Sequence, residues 1–265
     1  MARATWKGTI SFGLVSIPVA LYSGEKRPAL QFDLLDVRDN AKIRYQRVNE
    51  ETGEEVPWDQ IVRAYEYSDG NYVLVGESDF ERAAVESTRR MDVDTFVSKD
   101  EIAPYYFEKP YVVTPEKGGE KAYVLLREAL ETAGKVGIAK VVIRGRQYLM
   151  ALMPERSAIL AIRLRFHQEL TDTSDLPLPA GTLRDMGVSA QELDMATNLV
   201  GALGGPWQPE RYHDDYRESL LRWIDLKART GEVVPEEEQP QVEETPQPVD
   251  MVDLLQRSLE EARSR

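Results

Sequence analysis

Cysteine is absent from this chain of 265 residues, and His167 and His213 are its only histidines. Without thiols there is no disulfide framework, no thiolate metal site and no cysteine nucleophile, which fits a reducing compartment. Two imidazoles far apart in sequence are a poor basis for a Ser-His-Asp hydrolase, and no G-x-S-x-G motif accompanies them. Nucleotide fingerprints are missing as well. Gly134-Lys135-Val136-Gly137 lacks the Gly-Lys-Ser/Thr ending of a phosphate loop, and no G-x-G-x-x-G follows a strand pattern. There is no apolar run of membrane-spanning length, and strand-like sequence begins at Trp6, too early for a signal peptide. These absences predict a soluble cytoplasmic protein with no cofactor and no ATP or covalent chemistry.

The net charge of −13 is unfavourable for holding nucleic acid, because sequence-independent affinity comes mainly from Lys and Arg on phosphates. The acid is unevenly spread. Residues 1–170 hold 24 basic against 26 acidic side chains, and residues 171–265 hold 9 against 20. A phosphate senses charge within about 10 Å at physiological salt, so the nearly neutral first part has room for a cationic face.

That first part reads mainly as strands. In the opening run Trp6, Gly8, Ile10, Phe12 and Leu14 share one side of an extended chain, with Lys7, Thr9 and Ser11 on the other. Gly8 and Gly13 predict a bulge, a sharp bend or a close backbone approach, and Pro18 an edge or corner. Further strands are expected around 42–48, 72–75, 111–114, 139–143, 148–153 and 159–166, a spacing that favours a barrel or sandwich. Helices are expected near 78–84 and at 120–133, where Ala122, Leu125, Leu126, Ala129 and Leu130 share a face before Gly134. From Ser189 the pattern turns helical, with Ser189 and Glu192 as a capping box. A further helix runs from about Asp214 to Thr230. Residues 232–249, with four prolines and six glutamates and no basic or aromatic side chain, predict a solvated linker. After it, Met251, Val252, Leu255 and Leu259 mark one face of a short amphipathic helix.

Several long motifs in order resemble bacterial Ku. They are the run from Trp6 to Val19 with Leu21-Tyr22, then Tyr105-Tyr106-Phe107 and Tyr111 to Pro115, Ala122 to Leu130, Gly134 to Arg144, Glu192 to Ala196, and Pro209 to Glu218. The resemblance implies an α+β, mainly β fold: a Ku-type β-barrel with a bridging arm, followed by a helical C-terminal arm. It divides the chain into a core of 1–180 with the bridge within 60–118, a helical arm of 181–231, the linker of 232–249 and a partner-recruiting helix of 250–265. It implies a homodimeric ring that threads onto double-stranded DNA ends without reading sequence, near the nucleoid, in non-homologous end joining. It also implies that the terminal segment recruits the multifunctional ligase called ligase D. Many bacterial Ku chains continue into a lysine-rich tail. This sequence stops at Arg265, so weaker contacts with internal DNA are expected. The alternative reading is an oligomeric interaction scaffold with no preference for DNA ends.

The candidate DNA-facing residues come from cationic positions rather than from family assignments. Lys140, Arg144 and Arg146 share a side of one strand pattern, Arg163 and Arg165 alternate against Ile162, Leu164 and Phe166, and Lys7 opposes Trp6. Lys117 and Lys121 flank Gly118-Gly119, a turn whose N–H groups at a helix start suit a phosphate. Carboxylate pairs such as Asp92/Asp94 and Asp33/Asp36 read as surface charge, and Asp214/Asp215 as a helix N-terminus.

Overall fold

The opening strand folds back on itself. β1 (Trp6–Phe12) and β2 (Val15–Ser23) pair antiparallel from Trp6↔Leu21 to Phe12↔Val15, which leaves Gly13-Leu14 as a two-residue turn. Gly13 takes φ +55° while Leu14 keeps a negative φ, the pattern of a type II′ hairpin. Leu14, expected beside Trp6 on the inward side, is instead fully exposed at the hairpin tip. The alternation hid the break, because an apolar turn residue occupied what reads as the next inward position. Gly8 is a close approach: a Cβ there would lie 2.1 Å from the Arg89 carbonyl oxygen and 2.5 Å from the Trp6 ring. Pro18 lies just past the end of the ladder to β6, whose last pair is Val19↔Pro115, so its missing N–H leaves no gap in that ladder.

The computed structural model describes residues 3–26, 30–83, 89–230 and 251–263, in two units, Met1–Asp175 and Leu176–Arg265. In the first unit β3 (Arg63–Ser68) and β4 (Asn71–Val75) form a separate hairpin, followed by α1 (Glu77–Ala83). Then come β5 (Arg90–Ser98), β6 (Phe107–Pro115), α2 (Glu120–Ala133), β7 (Lys135–Ile143), β8 (Arg146–Glu155) and β9 (Ala158–Leu164). Seven strands close into a barrel in the order β1-β2-β6-β9-β8-β7-β5, and the parallel pairing of β1 with β5 shuts the seam.

Two expectations change here. Residues 42–48 form no ladder, only the isolated bridges Leu35↔Lys42 and Val48↔Glu55. Ile43 and Tyr45 alternate with basic residues but stay exposed, with no second strand among the described residues to bury them. β5 had no strand signal because Asp92 and Asp94 interrupt it; Arg90 and Lys140 neutralise them at 3.1 and 3.0 Å. Within the span read as a bridge, β5 and β6 are barrel staves, whereas β3 and β4 stand outside the barrel.

The barrel interior holds Ile10, Ile17, Val19, Leu21, Met91, Ala139, Val141, Met150, Leu152, Ile159 and Ala161, all nearly or fully buried. α2 supplies Tyr123, Leu126 and Leu130 to that same cluster. The Tyr123 hydroxyl donates to the Val113 carbonyl at 2.9 Å and accepts from the Ile159 N–H at 2.7 Å, so one side chain ties β6 to β9. A second cluster on the outer side of β7, β8 and β9, built on Val136, Ala151, Met153 and Leu164, is covered by Ile102, Tyr106 and Phe107.

In the second unit α3 (Ala190–Ala202) begins at Ser189, whose hydroxyl accepts from the Glu192 N–H while Glu192 caps the Ser189 N–H at 2.7 Å. These bonds hold the Glu192 carboxyl below the usual carboxylate range. α4 (Asp215–Thr230) begins behind Asp214, whose carboxylate accepts from the Arg217 N–H at 3.0 Å. α5 (Met251–Arg263) follows, and the acidic linker of 232–249 lies outside the described residues. No described helix is long and apolar enough to cross a membrane.

Candidate nucleic-acid interface

Strand direction gives the barrel two different ends. At one, β6, β8, β5 and β1 finish, β7 and β9 begin, and α2 covers the opening. At the other, β1, β5, β6 and β8 begin and β7 and β9 finish. This second end is cationic. Arg3, Lys7, Arg89 and Arg144 line a concavity of about 440 Å³ with Trp6 and Val142 at its floor. A neighbouring concavity of about 450 Å³ is lined by Lys109, Tyr111, Arg144, Arg146 and Tyr148, and the two share Thr5 and Arg144.

Local structure sets each group. Arg144 was expected on the strand with Lys140 and Val142, but Ile143↔Arg146 is the last pair of the β7–β8 hairpin, so Arg144-Gly145 is its turn. Both take positive φ, +51° and +77°, as a type I′ turn requires, and this lifts the Arg144 guanidinium clear of the sheet. Val142 is buried, and its carbonyl accepts the Trp6 indole N–H at 3.1 Å. Arg89 is held by its own carbonyl, which accepts the Thr9 N–H at 3.0 Å as β5 enters the barrel.

Among the described residues, Arg3, Arg89, Arg144 and Arg146 form no ion pair, and all four are exposed. Other basic groups at this end are partly neutralised. Lys109 pairs with Glu25 at 3.6 Å and lies over the Tyr111 ring. Arg163 pairs with Glu108 and lies over Tyr148, and its guanidinium holds the Glu108 carboxyl below the usual carboxylate range. Lys7 pairs with Glu116 at 2.9 Å, which raises its pKa.

Of the residues named from sequence, the structure therefore brings Lys7, Arg144, Arg146 and Arg163 to one end. Arg163 is in step with Ile159 and Ala161, which face the interior, so it stands at the barrel rim rather than on an outer cationic face. Arg165 lies past the end of β9 and donates to the Tyr105 and Phe107 carbonyls at 2.8 and 3.0 Å. Lys140 is on the outer wall, paired with Asp94. Lys117 and Lys121 flank the turn into α2, beside Glu116, the ion-pair partner of Lys7. The Gly118 and Gly119 N–H groups between them are already taken, by Glu120 and by the Glu116 carbonyl, each at 2.9 Å. Arg3, Arg89 and Lys109 were missed. Arg89 and Lys109 are each the basic residue at the start of a strand on this end, a position visible only once strand order is known.

Replacing Glu108 with Gln should leave Arg163 an uncompensated cation at the rim. Affinity for duplex DNA is expected to rise about two- to threefold, the scale of one partly exposed charge. A titration by fluorescence anisotropy reads this, and unchanged or weaker binding would place Arg163 away from the nucleic acid.

No group of three or more His, Asp or Glu suited to a metal ion occurs among the described residues. The chain matches the family described as the Ku70/Ku80 beta-barrel domain over residues 11–195. It is 44% identical over 260 residues to "Non-homologous end joining protein Ku" of Coxiella burnetii, covering 98% of this chain and 95% of that one. The protein of the same name from Opitutus terrae is 46% identical over 229 residues, covering 86% and 81%. The one from Archaeoglobus fulgidus is 36% identical over 258 residues, covering 97% and 98%. A family match over most of the barrel unit, together with relatives similar along nearly the whole length, shows that this chain belongs to the Ku family.

Proposed function

We propose that this chain acts, without catalysis of its own, as a DNA-end-binding protein of non-homologous end joining. It threads as a homodimeric ring onto duplex ends and recruits and stimulates the repair ligase, ligase D. The observation that carries the reading is the cationic barrel end, where Arg3, Arg89, Arg144 and Arg146 gather with no carboxylate partner among the described residues, on a chain of net charge −13. Guanidinium groups on turns and strand starts contact phosphates, which carry no sequence information, so such a surface binds any duplex. A closed ring then explains how an acidic protein holds DNA. Topological retention replaces many of the phosphate contacts that an open surface would need.

A second copy of the chain is supported by apolar surface that one copy leaves uncovered. Tyr65, Tyr67, Val73 and Leu74 on the β3–β4 hairpin are exposed, as are Leu221, Trp223 and Ile224 on α4. Exposed large apolar side chains of this kind are candidates for protein contacts.

The deciding experiment is a gel shift of a linear duplex against the same duplex closed by hairpins at both ends, in excess unlabelled circular DNA. Retention of the open duplex alone is the expected result. Equal binding to both forms would mean a surface binder, and binding to neither would favour an interaction scaffold.

A further inference from the structure

α5 does not stand alone. It runs beside α3 within the second unit, with Cα atoms within 8 Å of each other. The two helices meet along matching seams. On α5 the half-buried apolar residues are Val252, Leu255 and Leu259, spaced i, i+3, i+7, while Met251 and Leu254 stay exposed. On α3 the half-buried apolar residues are Met195, Ala196 and Leu199, with Glu192 half-buried one turn before them, while Leu193 and Val200 are exposed. Half-burial is what two helices achieve along one shared seam. Such a pairing is weak and open to exchange.

The face that lies on α3 is the one assigned above to ligase recruitment. We infer that α5 is a recruiting helix masked in cis: α3 occupies the Val252, Leu255 and Leu259 face, and the ligase must displace it. The inference rests on the proposed recruitment. A binder whose competent state is only partly populated shows an affinity reduced by that fraction. Weakening the seam from the α3 side should therefore strengthen capture, whereas weakening it from the α5 side should abolish capture.

The absence of cysteine makes the docking directly measurable. In the full chain, Gln191→Cys on α3 and Ser258→Cys on α5 carry spin labels, and electron–electron distances are read in solution. The expected result is one narrow distance of about 30 Å or less, since each helix is about 20 Å long, broadened by Leu255→Asp. A distribution as broad in the parent as in Leu255→Asp overturns the docking. Capture of purified ligase D is then compared for the parent, Leu255→Asp, Leu199→Glu and Ala196→Glu. Circular dichroism confirms that α3 remains helical, and the two α3 variants guard against a local folding defect in either one. Both α3 variants are expected to capture the ligase roughly tenfold more tightly, and Leu255→Asp not at all. Unchanged or weaker capture by the α3 variants overturns the mask while recruitment stands. If no chain captures the ligase, recruitment itself fails, and the mask fails with it, even where the labels report docking.

Discussion

Reversing Arg144 and Arg146 together to Glu should lower affinity for duplex ends on the order of 100-fold, equally for every end sequence. Both groups sit at the β7–β8 hairpin, exposed and without an ion-pair partner among the described residues, so no local carboxylate compensates their loss. Each is expected to contribute one phosphate contact per subunit, and replacing a cation with an anion adds repulsion to the lost attraction. The slope of log affinity against log salt should fall by about one for each contact removed. Lys117→Glu with Lys121→Glu is the matched control, because it places the same charge change at the turn into α2. That control should change affinity only about twofold, the long-range share of a screened field. If the control lost binding and the Arg144/Arg146 reversal did not, the nucleic acid would lie across the α2 end. The cationic concavities would then have another use.

Gly8→Ala should destabilise the barrel by about 3 kcal/mol or more, through overpacking that neither neighbour can relieve. One obstacle is the Arg89 backbone carbonyl, 2.1 Å from the new methyl, and that carbonyl is committed to the Thr9 N–H where β1 meets β5. The other is the Trp6 ring at 2.5 Å, pinned by its bond to the Val142 carbonyl. Yielding would mean opening the parallel seam that closes the barrel. For a unit of this size the melting temperature should drop by about 10 °C in a calorimetric scan. Gly13→Ala is the contrast. Nothing lies within 4 Å of a Cβ there, and only the positive φ of +55° opposes it, so about 1 kcal/mol is expected. Equal losses from the two would show that the seam tolerates a shift of the Arg89 backbone. Because Arg89 lines the cationic concavity, Gly8→Ala should also weaken DNA binding at temperatures where the chain is still folded.

Local signals carried much of the fold. α2 runs over the expected residues because its apolar face recurs at helical spacing and Gly134 ends it in the left-handed conformation, φ +61°. The Ser189 and Glu192 capping box is made of adjacent chemistry, so it was legible without any tertiary information. Strands β4, β6, β7, β8 and β9 showed themselves by alternation. β5 did not, because its acidic residues are satisfied by a cation on the same strand and one on its neighbour, and pairing across strands leaves no trace in a window of sequence. The loop around Ile43 and Tyr45 erred in the other direction, since alternation states what a strand would bury and not whether a partner strand exists.

The candidate site was only half legible for the same reason. Lys7, Arg144, Arg146 and Arg163 were named from sequence, but so were Lys140, Lys117 and Lys121, which line neither concavity and sit on the outer wall or at the turn into α2. Composition and periodicity determined that the chain is cysteine-free, strand-rich and then helical, with its acid concentrated late. The long ordered motifs determined its family. The tertiary structure decided which cations stand together. Closing the seven strands aligns their ends, and charges far apart in sequence converge where β1, β5, β6 and β8 begin. It also decided which of them already have a carboxylate neighbour, because charge neutralisation depends on distance in space and a sequence records only distance along the chain.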